Sequence, residues 1–376
     1  MKNMNISEPS VSPPVDLKAQ LQSAGSVVIY GAGSIGRDAL TVLQHAGISV
    51  WCVLDAKDLL IDHLEGIPVL KPGDPSFTSE EKNQTTVIIT IFNAYVHMPT
   101  IHANLAAQGW ASVVIFTEFH EAFAAELGDR YWLTSRDFYR HLDGPIARTR
   151  ELWDDQKSVT VFDQIIEFRL SGCYDSLEAP DLESQYFPSD LPSWPSPLRL
   201  IDCGAFDGDT LRQVTGLNLP LEAYAAFEPD PSNFAILATE IEATNLQKSV
   251  SMAAAWPCGA WSHSCKLRFS SGNASGSAID QLGDTEIQCI ALDEALPRFG
   301  ANLIKMDIEG AEYPALLGAT RMIHEHRPGL AICLYHEPAH LWQIPLLISS
   351  WNLDYRFYLR CHCFNGFDLV LYALPA

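Results

Sequence analysis

Four side chains in the last third of the chain have the types and spacing to act together on a proton or a cation. The stretch LIKMDIEGAEY ends an apolar run in Asp307 and Glu309, with Glu312 close behind, and LYHEP places His336 at the end of a later apolar run. In open α/β sheets ligands gather beyond the carboxyl ends of the strands, so acids at a strand tip can face a ligand while the apolar residues behind them stay dry. An imidazole titrates near neutrality and can take a proton from an acceptor hydroxyl. Asp307, Glu309 and His336 are therefore the candidate catalytic residues. Asp307, Glu309 and Glu312 also supply enough oxygens for a divalent metal such as Mg²⁺ or Ca²⁺, although their spacing does not demand one. Glu312 opens a helix pattern, where an acid is also ordinary compensation of the dipole. Lys305, on the strand that carries Asp307, is expected to pair with a nearby acid.

Two glycine turns have the pattern of ligand cradles. GAGSIG (Gly31, Gly33, Gly36) and DCGAFDGD (Asp202, Gly204, Gly208) each follow an apolar run and open a helix. Such turns present backbone amides at a helix N-terminus, and glycine permits close approach. The first turn carries no acid and suits a pyrophosphate, with Asp55 about where a ribose-binding acid stands in a dinucleotide fingerprint. It is read as a nucleotide site for NAD or a nucleotide-sugar. No Tyr-x-x-x-Lys pair occurs in the chain, which gives no support to a dehydrogenase. The second turn adds Asp207 and Asp209 to Asp202, and three carboxylates would repel a pyrophosphate. They tolerate a cationic ligand without phosphate, and S-adenosylmethionine, a sulfonium with an ammonium and a ribose, is one. Glu228, at the end of the next apolar run, is placed to accept from both ribose hydroxyls.

These turns must be held by two α/β units. From Ser26, the runs VVIY, ISVWCVLD, IPVL (67–70), VIITIF (87–92) and VVIF (113–116) alternate with helical patterns, as in a parallel sheet covered on both faces. Alternation resumes at Leu198 and includes AYAAFEPD, SVSMAAAW, NLIKMDI, one helix EYPALLGATRMIHEH, LAICLYHE and a terminal hairpin, YRFYLRCHCF with DLVLYALPA. The expected division is a disordered tail over 1–20, a Rossmann-like nucleotide or nucleotide-sugar binding domain over 21–125, a helical bridge and proline-rich cap over 126–197, and a catalytic domain over 198–376. The Tyr186–Phe187 segment of the cap is a candidate cover for the site.

Composition narrows the classes. The chain has 376 residues, 47% hydrophobic and 19% charged, which supports sizeable cores in two domains. A net charge of −22 argues against nucleic acid and against an anionic membrane surface as partners. The 9 cysteines form no CxxC pair, and no apolar stretch reads as a signal or a membrane span, so a cytoplasmic protein is expected. The oligomeric state is open, a homo-oligomer included.

DCGAFDGDT, FEPD and above all IKMDIEGAEYPALLGA resemble the FkbM family of S-adenosylmethionine-dependent methyltransferases, over roughly residues 150–376. The resemblance implies a class I methyltransferase fold, with a seven-stranded sheet whose last strand is antiparallel. It also implies O-methylation of a small-molecule or carbohydrate hydroxyl. Carried onto this chain, Asp202, Gly204, Ala205, Phe206, Asp207 and Gly208 form the cofactor loop, Glu228 and Pro229 the ribose end, and Ala254 and Ala255 the border of the adenine. Asp307 and Glu309 correspond to the family's acidic motif, whereas the family fixes no base. An NAD-dependent oxidoreductase and a non-catalytic nucleotide-binding protein on a methyltransferase scaffold are the alternatives.

Overall fold

The computed structural model of the chain describes residues 16–57, 61–182, 185–246, 250–270, 278–279, 283 and 285–376. Contacts divide the chain into two compact units. One takes Met1–Asp129, Leu133–Phe138 and Arg169–Asp175, the other Arg130–Trp132, Tyr139–Phe168 and Ser176–Ala376. The span 126–197, expected as a separate bridge and cap, is shared between these units.

The first unit holds a six-stranded sheet. Its strands are β1 (Ser26–Tyr30), β2 (Ser49–Leu54), β3 (His63–Leu64), β4 (Ile67–Leu70), β5 (Thr86–Ile89) and β6 (Ser112–Val114), in the order β3-β4-β2-β1-β5-β6. All neighbours run parallel except β3, which turns back on β4. Val27, Val28 and Ile29 are fully buried, as β-branched residues of a central strand covered on both faces should be. Residues 1–15 of the expected tail lie outside the described residues. The expected tail ends too late, because a helix occupies Leu17–Ser23, its first turn capped by Asp16, which accepts from Ala19 N–H at 3.1 Å.

The second unit is built on β7 (Leu198–Cys203), β8 (Leu221–Phe227), β9 (Met252–Trp256), β14 (Leu303–Met306), β15 (Gly329–Cys333), β16 (Tyr355–Cys361) and β17 (Leu369–Pro375). Their order is β16-β17-β15-β14-β7-β8-β9, and β17 is antiparallel to both of its neighbours. This is the seven-stranded sheet with an antiparallel last strand. A smaller sheet lies between β9 and β14 in sequence, formed by β10 (Gly259–Ala260), β11 (Cys265–Ser270), β12 (Ala278–Ile279) and β13 (Thr285–Ile290). The central strands β14 and β15 are buried at every residue. The order places the C-terminal ends of β7, β14 and β15 side by side.

One helix expected after β14 is two, Glu312–Leu317 and Thr320–His326. The break falls at Gly318, where an added Cβ would sit 2.0 Å from the Trp261 carbonyl oxygen. Close approach of that backbone interrupts a pattern whose apolar spacing alone reads as continuous. Among the described residues no helix is long and apolar enough to cross a membrane.

Candidate active site

The turn after β7 is shaped by its contact with the end of β14. Gly204 (φ +73°) has no room for a side chain, since a Cβ would lie 1.8 Å from the Asp307 carbonyl oxygen. The Asp307 N–H donates to the Cys203 carbonyl at 3.1 Å. The glycine turn and the acidic segment therefore abut, and left-handed Phe206 and Gly208 carry the chain into the helix Asp209–Gly216. Ala205 is fully buried behind them.

Glu228 closes this loop from β8. Its carboxylate accepts from Phe206 N–H at 2.9 Å and from Asp230 N–H at 2.8 Å. Burial pushes it up to about 7, against the pull of those two amides. Pro229 follows it directly. On the neighbouring edge strand, Ala254 and Ala255 pair with Ala225 and Ala226 of β8, leaving short side chains beside the loop, and Trp256 stacks on Phe227 at 5.2 Å.

The three acids of the turn are less free than their count suggests. Asp202 is fully buried; it pairs with Lys305 Nζ at 3.0 Å and accepts from the Tyr224 hydroxyl at 2.7 Å. Lys305 also donates to the Gly204 carbonyl at 2.5 Å, which ties β14 to the turn. The expectation for Lys305 holds, but Asp202 faces that lysine inside the sheet and does not offer an open carboxylate. Asp207 is paired with Arg212 at 2.5 Å. Burial, with Asp202 adding to it, raises Asp209.

Asp307 and Glu309 leave β14 on one side of the turn. Asp307 accepts from the Tyr186 hydroxyl at 2.7 Å and from the Tyr335 hydroxyl at 3.2 Å. Tyr186 thus reaches the site from the proline-rich segment, and its own carbonyl accepts from Trp194 Nε1 at 2.9 Å. Phe187, beside it, is half-buried, and residues 183–184 lie outside the described residues. Glu309 has a left-handed backbone (φ +53°), and its carboxylate accepts no hydrogen bond among the described residues. Tyr131, also left-handed (φ +53°) and 38% exposed, packs near His336 at 6.3 Å between ring centroids.

His336 is placed differently from what a surface base requires. Its side chain is 1% exposed; Nδ1 lies 2.7 Å from Glu312 Oε1, and Nε2 lies 3.3 Å from Asp307 and 3.7 Å from Glu309. Burial would lower its pKa, but the charges of Glu312 and Glu309 raise it to about 10. A histidine held protonated among carboxylates is not placed to accept a proton at neutral pH.

Glu312 is more than helix decoration. It is fully buried, bonds His336, faces His340 Nδ1 at 3.3 Å, and accepts from Ile308 N–H at 2.9 Å. Burial pushes it up, and the His336 charge more than offsets this, leaving it well below the usual carboxylate range. The sequence reading missed His340, although His336 and His340 stand four apart in HEPAH, and it missed Tyr335 and Asp368. Burial, with the charge of Asp307, raises Asp368.

In the first unit, Gly31 (φ +121°) and Gly33 lead into the helix Ser34–His45. Gly36 packs against the turn, where a Cβ would sit 2.0 Å from the Gly31 carbonyl oxygen. Asp55 accepts from Ala32 N–H and Lys57 N–H, each at 2.8 Å, so its carboxylate already braces the loop.

Residues 202–357 match the family model described as the methyltransferase FkbM domain. No curated protein matches the chain. Among solved structures, methyltransferase FkbM from Methylobacillus flagellatus KT is 23% identical with a TM-score of 0.78, covering 96% of this chain and 93% of that one. The likeness extends over both units and concerns their fold. Fibrillarin from Aeropyrum pernix, in complex with S-adenosyl-L-methionine, is 11% identical with a TM-score of 0.31, covering 47% of this chain and 66% of its own. The N-terminal domain of human METTL16 is 12% identical with a TM-score of 0.26, covering 65% of this chain and 97% of its own.

Proposed function

Because residues 202–357 match the family model of the methyltransferase FkbM domain, we propose that the chain transfers the methyl group of S-adenosylmethionine to a hydroxyl oxygen of a sugar or related small molecule. The observation that carries this reading is the direct contact between the turn after β7 and the acidic tip of β14, through Gly204 and Asp307. It supports reading the turn as a cofactor cradle beside a pair of carboxylates, as transfer between two held reactants requires.

In the proposed reaction the acceptor oxygen attacks the methyl carbon, the S–CH₃ bond breaks, and the sulfonium leaves as the neutral thioether of S-adenosylhomocysteine. Glu228 accepts from the ribose hydroxyls, and the amides of the turn face the cofactor's polar end. Asp307, braced by two tyrosine hydroxyls, orients the acceptor. Glu309, whose carboxylate accepts no hydrogen bond among the described residues, takes the hydroxyl proton. Lys305 is a positioning residue that fixes the Gly204 carbonyl. The 9 cysteines are all free, which suits a reducing cytoplasm.

Calorimetric titration with S-adenosylhomocysteine, and separately with NAD⁺, tests this reading. Micromolar binding of the homocysteine analogue that is lost in Glu228→Ala supports it and justifies an acceptor screen among sugars, read as S-adenosylhomocysteine formed. Binding of NAD⁺ with none of the analogue would instead favour an oxidoreductase. A nucleotide-linked sugar in the first unit is the companion proposal. Gly33 has open space for a side chain, so Gly33→Asp adds a charge at a helix N-terminus without a clash. It should abolish binding of a uridine diphosphate sugar and leave S-adenosylhomocysteine binding unchanged.

A further inference from the structure

His336 Nε2 has a setting that the proposed reaction does not use. The Nδ1 side is settled, because Glu312 Oε1 accepts from Ile308 N–H and lies 2.7 Å from Nδ1, so Nδ1 carries a proton toward that oxygen. Nε2 is buried and makes no hydrogen bond among the described residues. Asp307 Oδ1 at 3.3 Å and Glu309 Oε1 at 3.7 Å flank it without alignment for one. A ring nitrogen bound through its far side to a carboxylate, and aimed between two further carboxylate oxygens, is the arrangement of a histidine metal ligand and its supporting acid.

We propose that His336 Nε2, Asp307 and Glu309 form a binding site for a first-row divalent transition-metal ion, with Glu312 as the supporting carboxylate. Such ions hold nitrogen and oxygen at about 2.0–2.2 Å, which sets ligand atoms about 3–3.5 Å apart, close to the 3.3 Å and 3.7 Å that separate His336 Nε2 from Asp307 and Glu309. The donor set also selects the ion. One imidazole with two carboxylates suits Mn²⁺, Fe²⁺, Co²⁺ or Zn²⁺ better than Mg²⁺ or Ca²⁺, which prefer oxygen alone. Glu312, engaged by two histidines and a backbone amide, is withdrawn from the three-acid set that the sequence suggests. The two tyrosine hydroxyls on Asp307 fix its orientation, as partners of a ligating carboxylate do. The ion would neutralise the acids in place of a second proton on His336. It would also take the acceptor oxygen as a further ligand and favour its deprotonation, leaving the second Glu309 oxygen to receive the proton.

The inference deepens the reading of this site as the acceptor site, but its test needs no turnover. The full chain is stripped with a chelator and titrated with MnCl₂, following free Mn²⁺ by electron paramagnetic resonance, then with Co²⁺ and Zn²⁺. One saturable equivalent is expected, weakened at least tenfold in Glu309→Gln and His336→Gln and 10–100-fold in Glu312→Gln. Thermal unfolding of each variant checks that it is folded, and if His336→Gln is not, Glu309→Gln decides. No saturable binding of any of the three ions, or equal binding in wild type and Glu309→Gln, overturns the site. Titration with S-adenosylhomocysteine in the same samples reports on the transferase reading separately.

Discussion

Glu228 should make cofactor binding depend on pH in a way that its neighbours do not. In the free protein its carboxylate is 6% exposed and held up to about 7, with burial the leading cause. Ribose hydroxyls donating to it would favour the ionised form and pull it back toward the ordinary value of roughly 4.3. Binding then releases a proton across the window between those two values, so affinity rises with pH up to about 7 and levels off above it. Between pH 5.5 and pH 8 the change should be roughly 30-fold, or about 2 kcal/mol. Calorimetry with S-adenosylhomocysteine in two buffers of different ionisation enthalpy measures both the affinity and the proton released near pH 6. Glu228→Gln keeps an acceptor for Phe206 N–H and should bind with a flat pH profile. The same raised pKa has a sign for stability. An acid that is harder to ionise folded than unfolded costs stability above its folded pKa and costs none below its unfolded one. Ligand-free Glu228→Gln should therefore be more stable than wild type at pH 8, a gain that fades as pH falls from about 7 toward the ordinary range. A flat wild-type affinity from pH 5.5 to 8, or the same slope in Glu228→Gln, would refute the reasoning.

Lys305→Met should lower the unfolding free energy by about 3–5 kcal/mol in urea at pH 7, because it strands buried Asp202, and Asp202→Asn in the same chain should recover part of that loss. Tyr224→Phe removes one hydrogen bond to the same carboxylate and should cost about 1–3 kcal/mol. Gly204→Ala should cost about 1–2 kcal/mol from its left-handed backbone alone, and more from the overlap with the Asp307 carbonyl oxygen. Its displaced loop should weaken S-adenosylhomocysteine at least tenfold by calorimetry; affinity equal to wild type would show that the turn does not hold the cofactor.

How much of this was legible in the sequence depends on what each residue answers to. Strand positions follow from apolar runs and glycine turns because both are local, and β7, β8, β14 and β15 lie where those runs lie. The tip of β14 was legible for the same reason: a buried run that ends in acids must present them where it leaves the core. The partner of each charge was not legible. Asp202 reads as one of three acids facing a ligand until Lys305 Nζ is found 3.0 Å away on the neighbouring strand. Glu312 reads as a helix opener until two histidines from the segment after β15 enclose it. Both facts depend on side-chain register across strands distant in sequence. The break at Gly318 is of the same kind, set by the Trp261 backbone lying against the helix.

The pairing of Glu312 with His336 and His340 also bears on how an acidic site stays folded. Asp307, Glu309 and Asp368 crowd one rim, and burial together with mutual repulsion raises Glu309 and Asp368. Such crowding favours the neutral form of Glu309 and Asp368. Glu312 opposes this from below: its charge keeps a cation at His336, and that cation lies between Asp307 and Glu309. The His336 charge that Glu312 supports therefore opposes the rise in Glu309 without cancelling it. Replacing Glu312 by Gln should disturb the rim more than replacing Glu309, although Glu312 itself is fully buried.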